Sequence, residues 1–136
     1  MTAERRAFLD TNVCIYLLAS GRKSERAEDL FDDNNLDRVI STQVVNEFVH
    51  VARGKLKVEW PEVREYVGIL RDACHVAMVT SEEQDDALDI SQRYGFAWYD
   101  SLIVASARAA GAHTLLSEDL QNGMRIGTLK ISNPFA

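Results

Sequence analysis

Short apolar runs alternate with longer amphipathic stretches along this chain, and the alternation predicts strands that feed helices. Ala7 to Leu9 reads as a short buried strand, and Val13 to Ala19 as a helix closed by Ser20-Gly21, with glycine at the usual helix-ending position. Lys23 to Asp33 alternates charge with Ala27, Leu30 and Phe31 on one helical face. Asp33-Asn34-Asn35 breaks that pattern before a strand at Arg38-Val39-Ile40. Ser41 or Thr42 caps the next helix, in which Val44, Val45, Phe48, Val49 and Ala52 form an apolar stripe ending near Gly54.

Pro61 suits the first turn of a further helix reaching Cys74, and Val76 to Val79 is a compact strand bounded by Thr80-Ser81. Ser81 with Gln84 has the spacing of a capping box for a helix that carries Ala87, Leu88, Ile90 and Tyr94 and stops at Gly95. Asp100 to Ala110 is apolar nearly all round, the pattern of a helix buried between layers, and Gly111 ends it. His113 to Leu116 and Leu129 to Ile131 supply the last strands. Four to five strands alternating with helices imply right-handed crossovers and a mostly parallel sheet covered on both faces. No repeat, linker or low-complexity tract interrupts the pattern, so 1–136 reads as one domain.

At 136 residues the chain buries a core without disulfide or metal staples, so a bound metal would serve chemistry rather than folding. The longest apolar run, Val13 to Ala19, is far too short to span a bilayer, and Met1 to Arg6 followed by three apolar residues forms no secretory segment. The expected location is the cytoplasm. Cys14 and Cys74 stand alone in apolar contexts and read as buried thiols. A formal net charge of −6 excludes a broadly basic nucleic-acid surface, leaving two local candidates: Arg22, Lys23 and Arg26, or Arg53, Lys55 and Lys57.

Candidate chemistry lies in four acids. Asp10 closes the first strand, Asp100 opens the buried helix, Asp119 follows the strand at Leu116 by three residues, and Glu47 borders the apolar stripe of its helix. In an open α/β sheet the carboxyl ends of strands face one crevice, where acids distant in sequence meet. Each acid alone has a plainer reading: Asp10 and Asp100 as helix caps, Asp119 as a turn residue, Glu47 as the polar edge of a helix. Together they change the picture. Like charges about 4 Å apart repel by roughly 4 kcal/mol at an effective dielectric of 20, so clustered carboxylates need protons, basic partners or a cation. No lysine or arginine flanks them in sequence. Hard oxygen donors without Cys or His favour Mg²⁺ or Mn²⁺, and such ions suit hydrolysis of a phosphodiester.

Phe8-Leu9-Asp10-Thr11-Asn12, Val45-Asn46-Glu47-Phe48, Tyr99-Asp100-Ser101-Leu102-Ile103-Val104-Ala105 and Leu116-Ser117-Glu118-Asp119-Leu120 resemble, in order, the motifs of the PIN-domain family. The pattern is most similar to the compact bacterial VapC-type toxins of type II toxin–antitoxin pairs. The resemblance implies a three-layer α/β/α sandwich and Mg²⁺- or Mn²⁺-dependent endoribonuclease activity. It also implies a homodimer and an antitoxin partner that occludes the site. Carried over, Asp10, Glu47, Asp100 and Asp119 match the family's metal-binding acids, and Ser117 matches the Ser or Thr two positions before the last acid. Asn12 is a secondary candidate, either a neutral hydrogen-bonding group near the metal or a helix cap. Trp98 and Tyr99 could stack on bases, but aromatics just before a buried helix are expected rather to pack in the core or a dimer contact; His50, His75 and His113 have no partner acid at a helpful spacing.

Two other functions stay open. Asp10 two residues before Asn12 loosely resembles the nucleophile of haloacid-dehalogenase-type phosphatases, although that mechanism wants an acid at the second position and a downstream lysine. A non-catalytic module of similar fold would be expected to have lost a ligand, and all four acids are present.

Overall fold

Strand β1 (Arg6–Leu9) lies inside the sheet because, after Arg6, its side chains Ala7, Phe8 and Leu9 are apolar on both faces, as a strand covered twice requires. The computed structural model describes residues 5–136; residues 1–4, part of the N-terminal stretch read above for a secretory segment, lie outside the described residues. Phe8 and Leu9 are fully buried.

The chain continues through α1 (Thr11–Ile15), a 3₁₀ turn at Tyr16–Leu18, α2 (Arg22–Asp32), β2 (Asp37–Ser41), α3 (Thr42–Gly54), α4 (Trp60–Ala73) and β3 (His75–Ala77). Then come α5 (Ser81–Tyr94), α6 (Trp98–Ala109), β4 (Thr114–Leu116), β5 (Arg125–Ile126) and β6 (Leu129–Ser132). The sheet order is β3-β2-β1-β4-β6-β5, parallel except for the β5–β6 pair. Moving outward from β1 to β3 and then back across to β4, right-handed crossovers cover first one face and then the other. Helices α1 to α4 thus form one outer layer, and α5 with α6 form the second. Helix α6 has no polar face to spare, since Ser101 to Ala107 are all buried, and it packs across β2 and β4. Among the described residues no helix is long and apolar enough to cross a membrane.

Four details differ from the pattern reading. The first helix is split: α1 ends at Ile15, the 3₁₀ turn follows, and Ala19 is extended. Gly21 therefore starts α2 instead of ending α1, holding φ +104° at its N-cap, a conformation that glycine adopts freely. The capping box of α5 lies one residue earlier, with Thr80 and Glu83 exchanging both bonds. Helix α6 begins at Trp98, so Asp100 is a first-turn acid near the positive helix end and not the cap. Among the described residues the sheet has six strands, not four to five. The extra one, β5, is two residues long and turns back on β6 through Gly127 at φ +63°, too short to leave a periodic signal.

The strand order places a switch between β1 and β4, where the chain's progress across the sheet reverses. Such a switch opens a crevice beyond the carboxyl ends of the strands. Leu9 pairs with Leu116, so the residues that follow them, Asp10 and Ser117, leave the sheet side by side at that crevice.

Candidate functional site

Asp10 is fixed by backbone before its carboxylate does anything. Its N–H donates to the Leu116 carbonyl at 3.0 Å, extending the β1–β4 ladder by one step and presenting the side chain at the mouth of the crevice. One carboxylate oxygen caps α1 by accepting from the Thr11 N–H at 2.7 Å; the other accepts from the Ser117 hydroxyl at 2.7 Å. Ser117 is fully buried, and its oxygen also accepts from the Asp119 N–H at 3.2 Å. One hydroxyl thus couples the acid after β1 to the backbone of the acid after β4.

Asp119 is steadied from the opposite side by the Asn12 amide, which donates to it at 3.0 Å. Glu47 projects from α3 and accepts from the Thr11 hydroxyl at 2.7 Å and from the Gln43 amide at 2.9 Å. Asp100 enters from the first turn of α6. The four acids line a single cleft of about 570 Å³, together with Thr11, Asn12, Gln43, Asn46, His50 and Tyr99. The structure therefore brings together every acid named from the sequence, with Asn12 on the cleft wall and Ser117 beneath it.

The electrostatics follow from this crowding. Burial pushes the Asp10 carboxyl up to about 6, and the charges of Asp119 and Asp100 add to it, while the hydrogen bonds from Ser117 and Thr11 work the other way. Asp100 is also raised, by burial first and then by Asp119 and Glu47. Among the described residues, none of the four is ion-paired with a lysine or arginine. Glu118, adjacent to Asp119, makes the contrast. Burial opposes its charge, yet hydrogen bonds from Lys23 and Tyr16 hold it below the ordinary carboxylate range.

As they stand, no three His, Cys, Asp or Glu side chains among the described residues crowd around one point closely enough to hold an ion ready-made. The donor chemistry does fit a hard divalent cation. The donors are oxygens, Asp10 and Asp100 carry the signature of uncompensated negative charge, and each hydrogen-bonded carboxylate oxygen keeps a second lone pair. Held in this way, Asp10, Glu47, Asp100 and Asp119 could share one or two ions.

Two residues were missed from the sequence. Gln43 is four positions before Glu47, on the same helical face, a spacing that could have flagged it. Thr11 stands in the motif around Asp10, and nothing in the linear pattern joins it to Glu47. Trp98 and Tyr99 are 38% and 57% exposed, which removes the core half of their expectation and leaves the dimer contact open, and Tyr99 lines the cleft. His50 also lines it, on the exposed side of α3. The cysteines are buried and free, with burial raising both thiols, Cys74 to about 12.

The family model of the PIN domain matches residues 7–121, from β1 to just past Asp119. No curated protein sequence matches the chain. Among solved structures, the Mycobacterium tuberculosis toxin VapC20, described as cleaving the sarcin-ricin loop, is similar at TM-score 0.69 and 18% identity, over 83% of this chain and 91% of that one. A toxin–antitoxin complex from Klebsiella pneumoniae is similar at TM-score 0.71 and 18% identity, over 94% and 97%. DNA-bound VapBC from Salmonella typhimurium gives TM-score 0.68 and 20% identity, over 95% and 98%.

Proposed function

The chain belongs to the PIN-domain family, and from that membership we propose that it is a divalent-metal-dependent endoribonuclease, the toxin of a toxin–antitoxin pair. The observation that carries the reading is the convergence of Asp10, Glu47, Asp100 and Asp119 on one cleft where, among the described residues, no lysine or arginine is ion-paired with them. Mg²⁺ or Mn²⁺ held by these acids would acidify water for attack and offset the charge that develops on the phosphate.

The chain's own residues set the stage for that step. Ser117 and Thr11 keep Asp10 ionised against burial, and Thr11 with Gln43 orients Glu47 from both of its oxygens. Asn12 holds the Asp119 turn against the start of α1, and the Ser117 hydroxyl holds it against the end of β4. No side-chain nucleophile is needed, because water attacks the phosphorus and the leaving ribose oxygen departs with a proton. The same domain, spanning 1–136, acts in the cytoplasm as a homodimer, and a cognate antitoxin closes the cleft. The antitoxin in that reading is supported by the likeness to toxin–antitoxin assemblies of the same fold.

A phosphatase reading with Asp10 as nucleophile is less well supported. The Asn12 amide is turned to Asp119, and among the described residues no lysine lines the cleft. The deciding experiment incubates purified protein with mixed tRNA, rRNA and mRNA fragments, with Mg²⁺ or with EDTA, and maps the cut ends. Cleavage that stops with EDTA and in Asp10→Asn and Asp100→Asn is expected. Full activity in either variant refutes the reading.

A further inference from the structure

We infer that Trp60 and Arg53 form a nucleotide subsite, at the end of a trough that leaves the acid cleft along α3 and stacks an unpaired base of RNA flanking the cut. The inference rests on the nuclease reading for its substrate but on a separate set of residues. The trough, about 500 Å³, is lined by Asn46, Val49, His50, Arg53, Gly54 and Trp60. Asn46 and His50 also line the acid cleft, so the two cavities share a wall. Asn46, His50 and Arg53 recur every three to four residues, which puts them on one face of α3.

Trp60 opens α4 and is 58% exposed, an unusual state for the largest side chain in a chain with a well-filled core. The Arg53 guanidinium lies 4.6 Å from the indole centroid and donates to the Val58 carbonyl at 2.9 Å, so ring and cation are held together in advance. Lys55 and Lys57 are exposed on the connecting loop, and Lys57 holds a left-handed φ of +58°. Among the described residues, none of these three cations is ion-paired with an acid. On a protein of net charge −6 this is a local positive end to a negative cleft.

The other basic cluster is less available. Lys23 is tied to Glu118, Arg26 donates to the Pro134 carbonyl, and their cavity shares no lining residue with the acid cleft.

An exposed indole beside unpaired cations suits a single strand, because every base offers a face to stack on while the cations follow the backbone. A duplex keeps its bases inside, leaving Trp60 nothing to stack against. Tyr99, 57% exposed in the cleft, provides a second platform nearer the four acids.

The test uses the full chain carrying Trp98→Phe, which leaves Trp60 as the single tryptophan. In EDTA, so that nothing is cut, a short oligoadenylate should quench its fluorescence saturably, and an oligoadenylate–oligouridylate duplex should not. In the wild-type background, with affinity for labelled oligoadenylate read by anisotropy, Trp60→Ala should weaken binding about 5- to 150-fold, and Trp60→Phe should recover most of it. Arg53→Ala and Lys55→Ala should each flatten the slope of log affinity against log salt by about 0.7. In cleavage assays Trp60→Ala should raise KM for a long strand, leave kcat alone and spare a dinucleotide.

Unchanged oligoadenylate affinity in Trp60→Ala overturns the subsite, as does equal quenching by duplex. Competition by polyglutamate as strong as by RNA overturns it in favour of a peptide surface. Loss of a dimer in Trp60→Ala with RNA affinity intact overturns it in favour of a contact between copies. Quenching without cleavage under any condition would sink the nuclease reading and leave the subsite standing. Cleavage with wild-type affinity in Trp60→Ala does the reverse.

Discussion

Ser117 donates its hydroxyl hydrogen to Asp10 at 2.7 Å across the carboxyl ends of two adjacent strands, from a position with no exposure to solvent. The contact joins residues 107 apart in sequence and opposes the effect of burial on the Asp10 carboxyl. Its removal is therefore informative. Ser117→Ala should lower stability at neutral pH by about 1–3 kcal/mol, the usual consequence of leaving a buried carboxylate short of a donor. The acid limb of the pH–rate profile should also move to higher pH, since Asp10 is then easier to protonate. Denaturant titration and a pH–rate series check the two effects, and an unmoved acid limb counts against the role given to Ser117.

Asp10 also governs how metal-free stability depends on pH. Its folded carboxyl titrates at about 6 against an unperturbed 3.8, so between those values the folded state binds more protons than the unfolded one. Stability should fall as pH rises through that window and level off above it, with Asp10 contributing roughly 3 kcal/mol at most for a shift of about two pH units. Asp10→Asn should remove that part of the slope and be more stable than the wild type at pH 7 in EDTA. Chemical denaturation across the window decides the matter: a variant less stable than wild type at neutral pH contradicts the assignment.

A bound cation would relieve the same repulsion. Saturating Mn²⁺ at about a hundred times its dissociation constant should raise stability by about 2.7 kcal/mol. The rise should shrink at pH 5, where protons compete for Asp10, and Asp100→Asn should reduce it at either pH. Differential scanning calorimetry with and without Mn²⁺ measures this directly. No shift at millimolar Mn²⁺ would favour the non-catalytic alternative.

Gln43 and Thr11 orient Glu47 without belonging to the set of acids. Gln43→Ala and Thr11→Val should weaken Mn²⁺ affinity by about 10- to 100-fold, the range typical of partners that orient a ligand. Their circular dichroism and that of the wild type should coincide. Titration calorimetry gives the affinities, and wild-type values for both would show that Glu47 needs no such support.

Much of this is legible in the sequence because the informative signals are local. Phe8-Leu9 ahead of Asp10, the stripe around Glu47 and the apolar run after Asp100 each declare a strand or helix and its end. Parallel topology then gathers strand ends on one side of the sheet, and all four acids line the same cleft. What escaped depends on tertiary contact. The break at Tyr16 cannot be read from Val13 to Ala19, which is uniformly apolar; in the fold, Tyr16 turns its hydroxyl to Glu118 and its ring to Phe135. The Thr11–Glu47 bond joins separate elements, and β5 is shorter than any periodicity. Whether Trp98 and Tyr99 face inward is equally hidden, because an aromatic beside a buried helix looks the same in sequence whichever way the first turn faces; both are exposed.

The central strand has neighbours drawn from distant parts of the sequence: β2 begins at residue 37, β4 at residue 114. During translation, the segment made first can collapse onto β1 along one edge only, and the opposite edge stays bare until β4 has been made. Pairings of such long range are slow to form. A ribosome making this protein therefore carries an incomplete cleft long after Asp10 and Glu47 have emerged, and the finished pocket appears only after release of the segment that contains Asp119.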